Sequence, residues 1–132
     1  MKIAVIVSQF NKKISDGLLA SALHELKIAG IQQKNITAFQ VPGAFEIPLM
    51  AATLASSKKY DGIITLGCVI KGETDHYEAV CAGVTYGLQK VSIEHRVPVM
   101  FGVLMCKNEK LARARTDKGA ECAQGLLRLL NS

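Results

Sequence analysis

With 132 residues, 49% of them apolar, the chain is long enough to bury one core, so a single domain over residues 1–132 is expected. Its net charge of +5 gathers partly in Lys107, Lys110, Arg113, Arg115 and Lys118, a stretch without aromatics for base stacking, which favours a small anionic substrate over nucleic acid. No apolar run approaches the roughly 18 residues of a bilayer span, and Met1 to Val7 lacks a signal cleavage pattern, so a membrane partner is excluded and a cytoplasmic location expected.

The first strand-like run is Lys2 to Ser8. Ile14, Leu18, Ala22 and Leu26 then recur at helical spacing beside Leu19 and Leu23, predicting a helix stopped by Gly30. Ile36 to Val41 reads as a second strand. The helix after it runs from about Phe45 through Leu49, Thr53 and Leu54, with Pro48 tolerated in its first turn, and Lys58 to Gly62 closes it. Gly62 to Ile70 is a third strand, followed by a helix from Tyr77 to His95 with Val80, Val84, Leu88 and Val91 on one stripe. Pro98 prevents its continuation. Val97 to Leu104 forms a fourth strand, and a last helix from Lys118 to Leu130 turns Cys122, Ala123, Leu126, Leu127 and Leu130 inward. This alternation predicts an α/β fold, a three-layer α/β/α sandwich with a four-stranded parallel sheet of flavodoxin-like type. Ligands of such sheets bind outside the carboxyl ends of the strands.

The usual phosphate loops and nucleophile elbow, G-x-G-x-x-G, G-x-x-x-x-G-K-[ST] and G-x-S-x-G, are absent. In their place the third strand feeds Gly67-Cys68-Val69-Ile70-Lys71-Gly72-Glu73-Thr74-Asp75-His76 into a helix. Free N–H groups and the positive dipole end there suit a phosphate, although Thr74 or Asp75 serves equally as a simple N-cap. His76 falls in the first turn, where an imidazole can exchange protons beside an anion or be a plain surface or core residue, the commoner role of a histidine taken alone, whereas His24 and His95 read as ordinary helix residues. Val41 to Pro48 makes a rigid Pro-Gly turn that brings Phe45 and Glu46 to a strand end, and both residues also suit plain structural roles. Phe10, in Ser8-Gln9-Phe10-Asn11, can stack on a flat heterocycle or cover the core. Phe101 follows the core pattern. The cysteines Cys68, Cys81, Cys106 and Cys122 show no metal-ligand spacing and read as buried thiols, with no metal expected.

Taken in order, Ser8-Gln9-Phe10-Asn11, Val41 to Pro48, Gly67 to His76 and Pro98 to Leu104 resemble the lumazine synthase family over nearly the whole chain. The resemblance implies a transferase of riboflavin biosynthesis. It joins 5-amino-6-(D-ribitylamino)uracil to 3,4-dihydroxy-2-butanone 4-phosphate, needs no cofactor and releases phosphate and water. By the same resemblance, Phe10, Ala44, Phe45, Glu46, Cys68, Val69, Ile70 and Phe101 contact the ribitylaminouracil. Glu73, Thr74 and Arg115 hold the ketone phosphate, and His76 transfers protons. The family's glycine-rich stretch before Lys118 is missing here, which leaves Lys118 as a second-cation candidate and Arg113 as a rival to Arg115. Family sites lie between subunits of a homopentamer. Because the sequence opens directly at the first core strand and the turn before Lys118 is short, a pentamer is expected rather than the sixty-chain shell, with riboflavin synthase as a candidate partner. Two other functions compete: a phosphate-ester hydrolase using His76 and Arg115, which lacks a nucleophile, and a non-catalytic flavin-binding or shell-forming homologue.

Overall fold

The computed structural model describes residues 1–132. Its strands are β1 (Ile3–Ser8), β2 (Ile36–Val41), β3 (Gly62–Ile70) and β4 (Val99–Cys106), and its helices α1 (Lys12–Ile28), α2 (Ile47–Ser57), α3 (His76–His95), α4 (Glu109–Arg113) and α5 (Lys118–Leu130). The four strands form one sheet in the order β2-β1-β3-β4, parallel throughout. This is the flavodoxin-like α/β arrangement that the alternating pattern predicts.

Burial follows from position in the sheet. β1 is central and covered on both faces, so every residue from Ile3 to Ser8 is buried, as expected of a parallel strand between helical layers. β2 is an edge strand, and Thr37, Ala38 and Gln40 are exposed. On one face Ile3, Val5, Val7, Ile64 and Leu66 meet Leu18, Ala22 and Leu26 of α1 and Cys122, Ala123 and Leu126 of α5. On the other, Ala4, Ile6 and Ile63 meet Ile47, Ala51 and Leu54 of α2 and Val80, Val84, Leu88 and Val91 of α3.

Element ends show where local chemistry overrides periodicity. Gly30 ends α1 with φ of 90°, a conformation costly for residues with a Cβ. α2 begins at Ile47 rather than Phe45 because a separate 3₁₀ turn, Ala44–Glu46, precedes it; Pro48 lies in its first turn, where no N–H is needed. β4 starts at Val99 and reaches Cys106, which pairs with Ile70, so it is shifted from the expected Val97 to Leu104. In α5, Leu127 and Leu130 are only partly buried against the core. Two cysteines, Cys68 and Cys122, are buried, while Cys81 and Cys106 are half-buried, and all four are free thiols.

The short helix α4 was not apparent from apolar spacing. It is set by Asn108, whose side chain accepts the Leu111 N–H at 2.9 Å, the cap expected of Asn before a helix. The turn from α4 into α5 is fastened to α1. Ser21 Oγ donates to the Thr116 carbonyl at 2.8 Å and accepts the Ala120 N–H at 3.1 Å. Gly119 is obligatory beside it, since a Cβ there would strike the Leu18 carbonyl.

Candidate active site

The chain leaves the carboxyl ends of β1, β2 and β3 on the same side of the sheet, and hydrogen bonds lock these exits together. The Gln9 N–H donates to the Val41 carbonyl at 2.8 Å and the Phe10 N–H to the Pro42 carbonyl at 3.1 Å. Asn11 Nδ2 donates to the Cys68 carbonyl at 3.0 Å. Between the three exits and the start of α3 lies a cleft of about 480 Å³, lined by Phe10, Asn11, Gly43, Ala44, Phe45, Glu46, Cys68, Val69, Ile70, His76, Ala79 and Val80. That volume lies in the range of small-molecule sites. A larger depression, about 640 Å³, sits beside β2 and the end of α1; it lacks the pairing of an acid with an imidazole, Glu46 and His76, that the smaller cleft carries.

Two aromatic rings flank the cleft in the open. Phe10 is 72% exposed and Phe45 61%, so neither is needed to fill the core, and both offer faces to a planar ligand. Phe45 lies against α3 where Gly83 has no side chain; a Cβ there would come within 2.9 Å of the ring. Glu46 follows on the same 3₁₀ turn and is exposed, and its Oε1 lies 3.2 Å from where a Gly43 Cβ would stand. The carboxylate is therefore folded back over the turn at the cleft's edge.

The floor is the tip of β3. Burial pushes the Cys68 thiol up to about 11, with Cys106 and Glu109 adding to the effect, so the sulfur is a neutral thiol near pH 7 and no thiolate nucleophile is on hand. β3 brings Cys68, Val69 and Ile70 to the cleft. His76 opens α3 at the cleft wall and is exposed; its N–H donates to Thr74 Oγ1 at 3.3 Å. Thr74 thus makes a local turn bond, while Asp75, at the cap position, makes no side-chain cap.

Eight of the residues marked out by sequence therefore share one cleft: Phe10, Ala44, Phe45, Glu46, Cys68, Val69, Ile70 and His76. Glu73 and Thr74 lie beside it in the exposed bend before His76. Phe101, Arg115 and Lys118 are not among its lining residues. Phe101 is half-buried in β4, against the core on the α2 and α3 face. Arg115 is exposed in the turn between α4 and α5, and Lys118 begins α5, with Nζ 3.9 Å from Glu121 Oε1. Its rival Arg113 is engaged with Glu109 at 2.7 Å. Sequence reasoning gave no ligand-contacting role to Asn11, Gly43, Ala79 or Val80, placing Val80 on the core stripe of its helix and Gly43 in the Pro-Gly turn. For Ala79 and Val80 a signal existed, since they follow His76 by three and four residues and share its helix face.

Residues 1–132 match the family model described as 6,7-dimethyl-8-ribityllumazine synthase. The chain belongs to the lumazine synthase family. Proteins of that name from Pediococcus pentosaceus and Leuconostoc mesenteroides are 46% and 45% identical to it, over 99% and 98% of this chain and 87% and 86% of their own. The lumazine synthase of Coxiella burnetii is 45% identical over 98% of this chain and 89% of its own length. The cleft thus lies in a chain that matches the family over residues 1–132.

Proposed function

We propose that residues 1–132 act as one lumazine synthase unit, condensing 5-amino-6-(D-ribitylamino)uracil with 3,4-dihydroxy-2-butanone 4-phosphate to 6,7-dimethyl-8-ribityllumazine and releasing phosphate and water. The observation that carries this reading is the convergence of Phe10, Ala44 to Glu46, Cys68 to Ile70 and His76 on one cleft. Phe10 stacks on the pyrimidine. Ala44, Phe45 and Glu46 meet the ribityl chain and ring, and the main chain of Cys68, Val69 and Ile70 reads the ring edge.

Each substrate brings its own reactive group, an amine on one and a ketone on the other. Imine formation, enolisation, loss of phosphate and ring closure are then mostly proton transfers between groups held in place. His76 is the side chain at the cleft suited to moving them. The departing phosphate needs charge stabilisation, which Glu73 and Thr74 N–H groups and the Arg115 guanidinium supply, with Lys118 as a further cation.

Phe101, Arg115 and Lys118 stand apart from the cleft in the single chain, so in this reading a neighbouring copy delivers them and the working unit is a homopentamer. Free thiols at all four cysteines accord with a reducing cytoplasm. The test is to mix purified protein with both substrates and follow lumazine absorbance and inorganic phosphate together. Equal amounts of both products above the spontaneous background are expected. No product sinks the enzyme assignment, and lumazine without phosphate sinks the mechanism. Sedimentation should give a five-chain mass, with activity lost on dilution to single chains; an active monomer would overturn the shared site.

A further inference from the structure

The chain at Asn11 adopts φ of 59° and ψ of 52°, a left-handed conformation that Asn tolerates better than most residues with a Cβ. The other non-glycine residues with positive φ, Lys58 and Arg96, simply end helices α2 and α3. Asn11 instead precedes a helix, where an Asn side chain ordinarily accepts a first-turn N–H. It makes no such cap. Its main-chain carbonyl takes the Ile14 and Ser15 N–H groups, and its carboxamide reaches across to the Cys68 carbonyl at 3.0 Å, in a part-buried position.

The bond falls where the sheet stops supplying partners. Pairing of β1 with β3 ends at Val7 and Leu66, two residues short of Cys68, while β3 stays paired with β4 as far as Ile70. Past Leu66, then, β3 is held on one side only. The Asn11 side chain continues the lost ladder by one bond. Its Nδ2 must face the carbonyl, since the amide oxygen would meet it acceptor to acceptor.

We infer that Asn11 is a positioning residue of the ring site: its carboxamide substitutes for the missing strand and fixes the main chain of Cys68, Val69 and Ile70 against which the pyrimidine edge is read. The αL backbone is part of the same device, since it turns the side chain away from α1 and toward β3. This rests on the assignment of Cys68 to Ile70 to the ring.

Two variants separate the donor from the backbone. Asn11→Gly keeps the left-handed turn and removes the donor at every pH. Asn11→Asp keeps the shape but sets a carboxylate oxygen against the carbonyl. Affinity for the lumazine product, read by its fluorescence, and KM for the pyrimidine are measured at pH 8, each relative to wild type. Both variants should weaken binding about tenfold at pH 8, with kcat changed less than KM. The Asn11→Asp deficit at pH 8 should be at least as large as that of Asn11→Gly, because its carboxylate repels the carbonyl that the amide held. Wild-type affinity in Asn11→Gly would overturn the inference, as would wild-type affinity in Asn11→Asp at pH 8. Should Asn11→Asp fail to fold, Asn11→Gly alone decides. A wild-type protein that neither binds product nor turns over strikes instead at the ring-site assignment.

Discussion

Replacing Gly83 with alanine should make the protein more stable and less active at once. A Cβ at Gly83 would stand 2.9 Å from Phe45 Cε1 and 3.6 and 3.8 Å from Cδ1 and Cζ. Ordinary carbon contacts lie at about 3.5–4.0 Å, so the ring edge must withdraw by about 0.6–1 Å. Phe45 is largely exposed, so it can swing outward without opening a hole in the core. Alanine meanwhile gains about 0.5–1 kcal/mol over glycine inside a helix. The thermal midpoint should therefore rise by about 2–5 °C. A ring displaced by that distance beside the reacting atoms should lower kcat/KM for the pyrimidine about tenfold or more. Gly87→Ala, one turn along α3, is the contrast. There a Cβ would lie 2.7 Å from Pro48 Cβ and 3.0 Å from its Cγ, and a proline ring in the first turn of α2 cannot rotate away. The same helix gain is then outweighed by about 1–3 kcal/mol of overpacking, and the midpoint should fall. Scanning calorimetry with steady-state kinetics on both variants decides. A Gly83→Ala protein with wild-type kcat/KM would refute the claim that Phe45 must hold its place, and one less stable than wild type would refute the claim that its ring yields freely.

His76→Ala should lower kcat about 100-fold or more with little change in unfolding midpoint, because the residue is exposed and its recorded bond is through the main-chain N–H; an unchanged kcat removes it from the mechanism. Arg115→Ala should raise KM for the ketone phosphate about tenfold and leave that for the pyrimidine alone, whereas Arg113, engaged with Glu109, should matter less. A larger effect at Arg113 would transfer the phosphate role to it. The buried thiols give a stability change in alkali. Burial raises both Cys68 and Cys122 from 9.0 to about 11, so the folded state holds protons that the unfolded chain has released. Their contribution is complete below about pH 9 and disappears as pH rises through about 11, a loss of the order of 2–3 kcal/mol for each. Cys122→Ala should therefore flatten urea-unfolding stability across that window, and an undiminished slope would contradict it.

The strands and long helices were legible in the sequence because each carries its own periodic or continuous apolar pattern. α4 was not, since five residues are too few to show a stripe, and only Asn108 three residues before Leu111 betrays its start. The bounds of β4, expected at Val97 to Leu104 and found at Val99–Cys106, were misjudged for a different reason. Its far end is set by partners in β3, as in Ile70 with Cys106, which no local pattern reveals. Most of the cleft was readable because its residues sit at strand exits, where an open parallel sheet places ligands. The role of Asn11 was hidden, because its partner Cys68 lies 57 residues away and the bond exists only once β1 and β3 are side by side. Phe101 and Arg115 show the converse limit. A motif names residues without saying which of them face the same cavity.

The residues proposed for the two substrates are distributed unevenly over the two helical layers. The turn before α2 and the start of α3 frame the heterocycle cleft, while the cations Arg115 and Lys118 ride on a turn that Ser21 and Gly119 fasten to α1. If the proposed roles hold, substitutions around Ser21 and Gly119 should alter grip on the phosphate substrate more than on the ring. The start of α3, where Glu73 and Thr74 meet His76, is then the one place where a change would touch both.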